Sequence, residues 1–132
     1  MLLSNLSKLI DVKKIYCFKY DKQFSSITSN SKLVNKKTIF IFDKNTKSKK
    51  IYIEEAIKNK SPAIISNKYF KFINIPQFIV TDINLETTVL LKNIYRKLPS
   101  KTVAVTGTNG KTSVVWYISQ ILSKLNLLMY FV

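Results

Sequence analysis

Histidine, cysteine and glycine are scarce in this chain, which has none, one and two of them among its 132 residues. Without histidine, a zinc site and a Ser-His catalytic triad are excluded, and a single cysteine permits no internal disulfide. Cys17 stands between Tyr16 and Phe18 in a predicted strand, so we expect a small core residue there and not a nucleophile.

Long apolar segments are also lacking, because no run approaches the roughly 18 apolar residues that a membrane-spanning helix needs. The first ten residues space their leucines as an amphipathic helix, and they are too polar and too short for a signal peptide. The sequence therefore predicts a cytoplasmic protein without a membrane partner.

Acidic residues are few, since 22 Lys+Arg stand against 7 Asp+Glu and give a net charge of +15. Such an excess is typical of proteins that bind nucleic acid or anionic lipid. Nucleic-acid readers, however, use arginine for base edges and aromatic side chains for stacking. All basic residues here except Arg96 are lysines, and the aromatic residues fall mostly in apolar runs such as 39–42 and 69–72. We therefore expect no nucleic-acid partner.

Four lysines form a cluster in the middle of the chain: Lys44, Lys47, Lys49 and Lys50. They could meet a diphosphate or form an ordinary charged loop. The second interpretation is favoured because lysine fills solvated positions along the whole chain.

Both glycines fall in one segment, Thr102-Val-Ala-Val-Thr-Gly-Thr-Asn-Gly-Lys-Thr-Ser113. Residues 102–106 are typical of a buried strand, and helical spacing begins at Lys111 and continues through Val114, Ile118, Ile121, Leu122 and Leu125. A turn between a strand and a helix N-terminus presents unpaired N–H groups to a phosphate. The predicted nucleotide site uses Gly107, Thr108, Asn109 and Gly110 as its cradle and Ser113 as a further binding residue. Lys111 is the predicted phosphate ligand and Thr112 the predicted magnesium ligand.

The general phosphate-loop pattern needs a glycine where this chain has Val105. The remaining Gly-x-x-Gly-Lys-Thr could be only a structural helix entry. The strand before it and the amphipathic helix after it favour the nucleotide interpretation.

The segment Val105-Thr-Gly-Thr-Asn-Gly-Lys-Thr-Ser113 resembles the ATP-binding loop of the Mur ligases. These ATP-dependent enzymes form the amide bonds of bacterial cell-wall precursors. Three upstream segments are similar to the branch that adds the third residue, the UDP-N-acetylmuramoyl-tripeptide synthetases. Residues 27–42 resemble the Asp-Ser-Arg signature of this branch and the strand that follows it. Residues 53–65 resemble its next helix and strand, and residues 95–100 resemble the segment that leads to the loop.

Within the signature, the resemblance assigns Ser29, Ser31 and Lys32 to the binding of the uridine diphosphate part of the substrate. Asn30 and Lys32 replace the family's Asp and Arg, Lys36-Lys37 replaces its turn glycine, and Ser61-Pro62 replaces its Gly-Ala. Asn30 loses the charge, and Lys32 loses the planar fork that binds an anion in two places.

The resemblance implies an α/β fold with two parts. Residues 1–98 would form the UDP-sugar substrate-binding domain, and residues 99–132 would begin a parallel-sheet ATP-binding domain with a strand, the loop, a helix and a second strand at 127–132. Since a parallel sheet needs cover on both faces, we expect the chain to be an amino-terminal fragment that has no ligase activity alone.

The alternating pattern of apolar and polar residues predicts the remaining elements. Strands are expected at 15–20, 38–42, 63–66 and 78–81, and a helix at 52–59. A second helix is expected to begin after an N-cap at Asn84, with Glu86 in its first turn, and to end at Pro99.

The resemblance implies ATP and Mg²⁺ as cofactors, with Lys111 as catalytic residue. The substrates would be UDP-N-acetylmuramoyl-L-alanyl-D-glutamate and a diamino acid, either diaminopimelate or lysine, joined through an acyl phosphate by an enzyme that is monomeric at full length. Two alternatives stay open: another Mur-type ligase, of the dipeptide-adding or cyanophycin type, and a basic binding protein without catalysis.

Overall fold

The computed structural model of the chain describes residues 1–43, 50–95 and 103–125. The chain divides into two compact units, Met1–Lys97 and Leu98–Val132. Within the described ranges, no helix has both the length and the apolar character needed to cross a membrane.

The first unit is built on a five-stranded mixed sheet. Its strands are β1 (Val12–Tyr16), β2 (Ser26–Thr28), β3 (Thr38–Phe42), β4 (Ile64–Ser66) and β5 (Gln77–Val80). They lie in the order β1-β5-β4-β3-β2. β2 to β5 are parallel, and β1 pairs antiparallel with β5 at one edge.

Both faces of the sheet are buried, as parallel sheets require. All five residues of β3 are buried. Because successive side chains of a strand point to opposite faces, Ile39 and Ile41 join one apolar cluster while Phe40 and Phe42 join the other. The sheet is therefore the middle layer of three.

Helices cover the two faces. α1 (Leu6–Leu9), preceded by a 3₁₀ turn at Leu3–Asn5, and α3 (Ile83–Ile94) contribute Leu6, Ile83 and Leu90 to the cluster that contains Ile39. α2 (Lys50–Lys58) contributes Ile53 and Ala56 to the cluster that contains Phe40.

The sequence placed the first strand too late and missed β2. The strand predicted at 15–20 ends at Tyr16, because Cys17 has φ +56° and leaves the extended conformation. Cys17 is exposed, so the prediction of a core cysteine is wrong. β2 was missed because three residues at the sheet edge are too few to show a period.

The N-cap of α3 is Asp82 and not the predicted Asn84. One Asp82 carboxylate oxygen accepts from the backbone N–H groups of Asn84 and Leu85, both at 3.0 Å. Asn84 therefore lies inside the first turn. The helix ends at Ile94, ahead of the predicted stop at Pro99, which lies outside the described residues.

Lys60 takes a left-handed conformation, φ +67°, where the turn after α2 calls for glycine. Its N–H donates to Ile57 O at 2.9 Å, and the Ser61 N–H donates to Ala56 O at 3.0 Å. These two bonds form a Schellman motif, in which the left-handed position is usually glycine.

Lys60→Gly is therefore expected to stabilise the first unit. Relief of the left-handed strain raises the free energy of unfolding by about 1–2 kcal/mol. The greater freedom of glycine in the unfolded chain lowers it by about 0.4–1 kcal/mol, so the net gain is about 0.5–1 kcal/mol. Urea denaturation followed by circular dichroism measures it. Lys58→Gly, at the last residue of α2, is the control and should cost about 1 kcal/mol. A loss of stability in both variants would contradict the strain at Lys60.

The second unit is described over residues 103–125 and contains α4 (Lys111–Lys124). The helix starts at Lys111, as the sequence predicts. Residues 103–106, predicted as a strand, have no regular secondary structure. A strand needs a hydrogen-bonded neighbour, and the described part of this unit contains none. The strand predicted at 127–132 lies outside the described residues.

Candidate functional site

The glycine loop turns sharply into α4. Gly107 has φ +148° and Gly110 has φ +76°. A β-carbon on Gly110 would meet no heavy atom within 4 Å, so the backbone conformation, and not a lack of space, calls for glycine there. Both glycines thus serve the shape of the loop.

The N-terminus of α4 is open to an anion. Gly110 is its N-cap and supplies no side-chain hydrogen bond to the first turn. The predicted ligands Thr108, Asn109, Lys111, Thr112 and Ser113 are all exposed. Unpaired N–H groups and the positive end of the helix dipole therefore face solvent together.

The Lys111 ammonium lies over this loop. It donates to Gly107 O and, at 3.4 Å, to Thr108 O. The lysine cation and the first-turn N–H groups converge on the same turn, and this donor set fits the phosphates of a nucleotide. Thr112 and Ser113 also line a shallow depression of about 250 Å³ with Trp116 and Tyr117. The hydroxyl of Thr112 is an oxygen of the kind that Mg²⁺ prefers.

The predicted UDP-binding residues lie in the first unit, in the turn that follows β2. Asn30 accepts from the Lys32 N–H at 3.1 Å and caps a 3₁₀ turn, Ser31–Leu33. The Asn30 N–H donates to the Thr28 hydroxyl at 3.1 Å. Ser29 and Lys32 are exposed, so both can reach a ligand.

Ser31 differs from its two neighbours because it is only 4% exposed. Its hydroxyl donates to a Glu55 carboxylate oxygen, and its carbonyl accepts from the Asn59 amide at 2.9 Å. α2 and the residue that follows it therefore hold the turn in place. The sequence does not indicate that Glu55 and Asn59 contact Ser31, because a polar residue on an amphipathic helix carries no signal of its partner.

The lysine cluster is described only at Lys50, since residues 44–49 lie outside the described ranges. Lys50 forms an ion pair with Glu54 at 3.4 Å, and its ammonium lies 4.3 Å from the centre of the Phe72 ring. Both contacts lie within the first unit, and the interpretation of the other three lysines stays a prediction.

Several known ligases are similar to the chain in sequence. The 2,6-diaminopimelate-adding ligase of UDP-N-acetylmuramoyl-L-alanyl-D-glutamate from Agrobacterium fabrum is 36% identical over 70 residues, which cover 53% of this chain and 14% of that enzyme. The enzyme of the same name from Caldanaerobacter subterraneus is 33% identical over 79 residues, or 58% of this chain and 16% of that enzyme.

The UDP-N-acetylmuramoyl-tripeptide–D-alanyl-D-alanine ligase of Haemophilus influenzae is 32% identical over 63 residues, or 48% of this chain and 14% of that enzyme. The chain thus spans about a seventh of the length of these relatives. No protein-family profile matches it.

Solved structures agree on the fold. The D-alanyl-D-alanyl ligase of Acinetobacter baumannii superposes with a TM-score of 0.61 and 20% identity over 92% of this chain and 28% of that protein. A crystal structure of MurF from the same organism gives a TM-score of 0.63 with 20% identity, over 92% of this chain and 27% of that protein.

Proposed function

Since this chain is a relative of the Mur ligases, chiefly of those that add diaminopimelate, we propose that it belongs to an ATP-dependent amide ligase of peptidoglycan precursor synthesis. The first unit would bind the UDP end of the precursor. The second unit would supply the phosphate-binding loop of the ATP domain. ATP and the UDP precursor are both nucleotides of the cytoplasm, and we therefore place the enzyme there.

The observation that carries this proposal is the loop before α4. Two glycines at positive φ lead into a helix N-terminus without a side-chain cap, and the Lys111 ammonium lies over the turn. Three features of a phosphate site thus coincide within residues 107–111. Open N–H groups occur at any helix N-terminus, but a purely structural helix entry does not need the lysine beside them.

The proposed reaction joins a diamino acid to UDP-N-acetylmuramoyl-L-alanyl-D-glutamate. A carboxylate is a poor electrophile, so the D-glutamyl carboxylate would take the γ-phosphoryl group of ATP, with ADP as the leaving group, to give an acyl phosphate. The amine would then attack the acyl carbon, displace inorganic phosphate and lose a proton. Phosphoryl transfer depends mainly on positioning and charge neutralisation. Residues 107–110 would orient the phosphates, Lys111 would neutralise their developing charge, and Thr112 with Mg²⁺ would complete the site.

The 132 residues are proposed to bind substrate without completing the reaction. Within residues 103–125, α4 has no buried residue, although helices beside a parallel sheet bury an apolar face. The apolar positions Val114, Ile121 and Leu125 are exposed. An ATP site that excludes water therefore needs apolar cover that residues 103–125 do not supply.

A second candidate is a ligase that adds D-alanyl-D-alanine to the tripeptide precursor. It is supported by the sequence similarity to the Haemophilus influenzae relative. The two candidates differ only in the peptide acceptor and the incoming amine, so substrate choice separates them.

The test combines binding with turnover. Calorimetric titration of the 132-residue chain with the UDP-dipeptide precursor is expected to show binding, while the same chain with ATP, Mg²⁺ and diaminopimelate or lysine forms no product. A longer polypeptide that includes a complete ATP domain should form the amide and release phosphate.

Three outcomes would change this assignment. Product formation only from the tripeptide and D-alanyl-D-alanine would select the second candidate. Product from the 132 residues alone would contradict the fragment proposal, and absence of any UDP-precursor binding would remove the ligase assignment.

A further inference from the structure

The turn that carries the exposed residues Ser29 and Lys32 is held by two side chains, one from α2 and one from the residue that follows it. Glu55 accepts from the Ser31 hydroxyl, and the Asn59 amide donates to Ser31 O at 2.9 Å. Glu55 lies in α2 and Asn59 directly follows it, and the two bonds join residues that are 24 and 28 positions apart in sequence. The conformation of the turn therefore depends on α2.

We infer that Ser31 and Glu55 form a positioning pair that orients Ser29 and Lys32 toward the UDP part of the substrate, an inference that rests on the proposed function. Ser31 is a positioning residue in this arrangement and not a direct ligand. Its side chain is nearly inaccessible, at 4% exposure, and the structure directs its hydroxyl to Glu55. The side chains that can contact a ligand are therefore the exposed ones of Ser29 and Lys32.

The physical reason for such a pair is preorganisation. The turn is short, and its own bonds to side chains, from the Lys32 N–H to Asn30 and from the Asn30 N–H to Thr28, lie in exposed surroundings. Two backbone bonds, from the Leu33 N–H to Asn30 O and from the Val34 N–H to Ser31 O, close it. The bond from Ser31 to the charged Glu55 carboxylate is partly buried, and hydrogen bonds to charged acceptors are the stronger kind. Loss of this bond frees the turn, so a ligand must then order it on binding.

α2 contains a matched control for Glu55. Glu54 is the preceding residue and an identical side chain, but it is exposed and its carboxylate pairs with Lys50 at 3.4 Å. A change at Glu54 alters the net charge by the same amount as a change at Glu55 and leaves the Ser31 bond intact. General electrostatic effects on an anionic ligand therefore appear equally in both variants.

The experiment measures UDP affinity by calorimetry for the 132-residue chain and for Ser31→Ala, Glu55→Leu, Glu55→Gln and Glu54→Leu, with a thermal melt of each variant. At a temperature where all are folded, Ser31→Ala and Glu55→Leu are each expected to weaken UDP binding about tenfold. The double variant should be no weaker than either single one, because both changes remove the same bond. Glu55→Gln keeps an acceptor oxygen and should lie within about threefold of the wild type, as should Glu54→Leu.

Two results would contradict the positioning role of Ser31 and Glu55. Weaker binding in Ser31→Ala with unchanged binding in Glu55→Leu would make Ser31 a direct ligand. Unchanged affinity in both, with lower melting temperatures, would make the contact structural only. A wild-type chain that binds no UDP would instead remove the proposed substrate site itself, and this inference with it.

Discussion

Lys111→Ala is expected to lower the rate of amide formation about 100- to 1000-fold in a ligase polypeptide that contains these residues and a complete ATP domain. The Lys111 ammonium lies over the loop and donates to Gly107 O and Thr108 O. Its positive charge would neutralise the phosphates during transfer, and alanine retains no charge. Phosphate release at saturating ATP measures the effect.

Two measurements accompany this variant. UDP-precursor binding should be unchanged, because Ser29 and Lys32 lie in the other unit. Lys124→Ala removes the same charge from the last residue of α4, far from the loop, and should keep wild-type turnover. Equal turnover in Lys111→Ala and the wild type would remove Lys111 from the mechanism.

Phe78→Ala is expected to destabilise the first unit by about 3–5 kcal/mol. Phe78 is fully buried in β5 and belongs to the cluster that α1 and α3 cover. It pairs with Ile15 of β1 and Ile65 of β4, and Phe18 packs against it edge-on with ring centres 6.0 Å apart. Neighbours on both sides in the sheet prevent collapse of the cavity, so the loss is at the large end of the range.

Urea denaturation of the 132-residue chain measures this loss. Small domains have a total stability of about 5–15 kcal/mol, so Phe78→Ala should shift the unfolding midpoint strongly or leave the unit partly unfolded. Phe72→Ala is the control, since Phe72 is 43% exposed, and it should cost about 1 kcal/mol or less. Equal losses in the two variants would contradict the central position of Phe78.

Sequence patterns predicted the interior strands well and the edges poorly. The strand predicted at 38–42 has those bounds in the structure, because β-branched and aromatic residues fill both buried faces. β2 has three partly buried residues and leaves no such pattern. β1 was displaced because one residue, Cys17, leaves the extended conformation, and no sequence rule places a positive φ on cysteine.

The candidate sites divide in the same way. The sequence predicted the helix start at Lys111, and both glycines of the loop have positive φ, because a turn into a helix is a local feature; the nucleotide-binding role of the loop stays a prediction. The strand expected before it is not formed over residues 103–106, because pairing depends on a distant neighbour. In the turn after β2, the sequence selected Ser29, Ser31 and Lys32 alike as predicted UDP ligands, and only the folded chain separates buried Ser31 from its exposed neighbours.

The sequence by itself determined the helix start at Lys111, the buried core strand β3 and the place of the glycine turn before α4, because each depends on residues within one turn or one strand. Only the tertiary structure decided that Glu55 and Asn59 contact Ser31 and that Asp82 caps α3. It also placed β1 against β5. These contacts join groups whose closeness depends on three-dimensional geometry, and a hydrogen bond forms only where both partners meet at the right distance and angle.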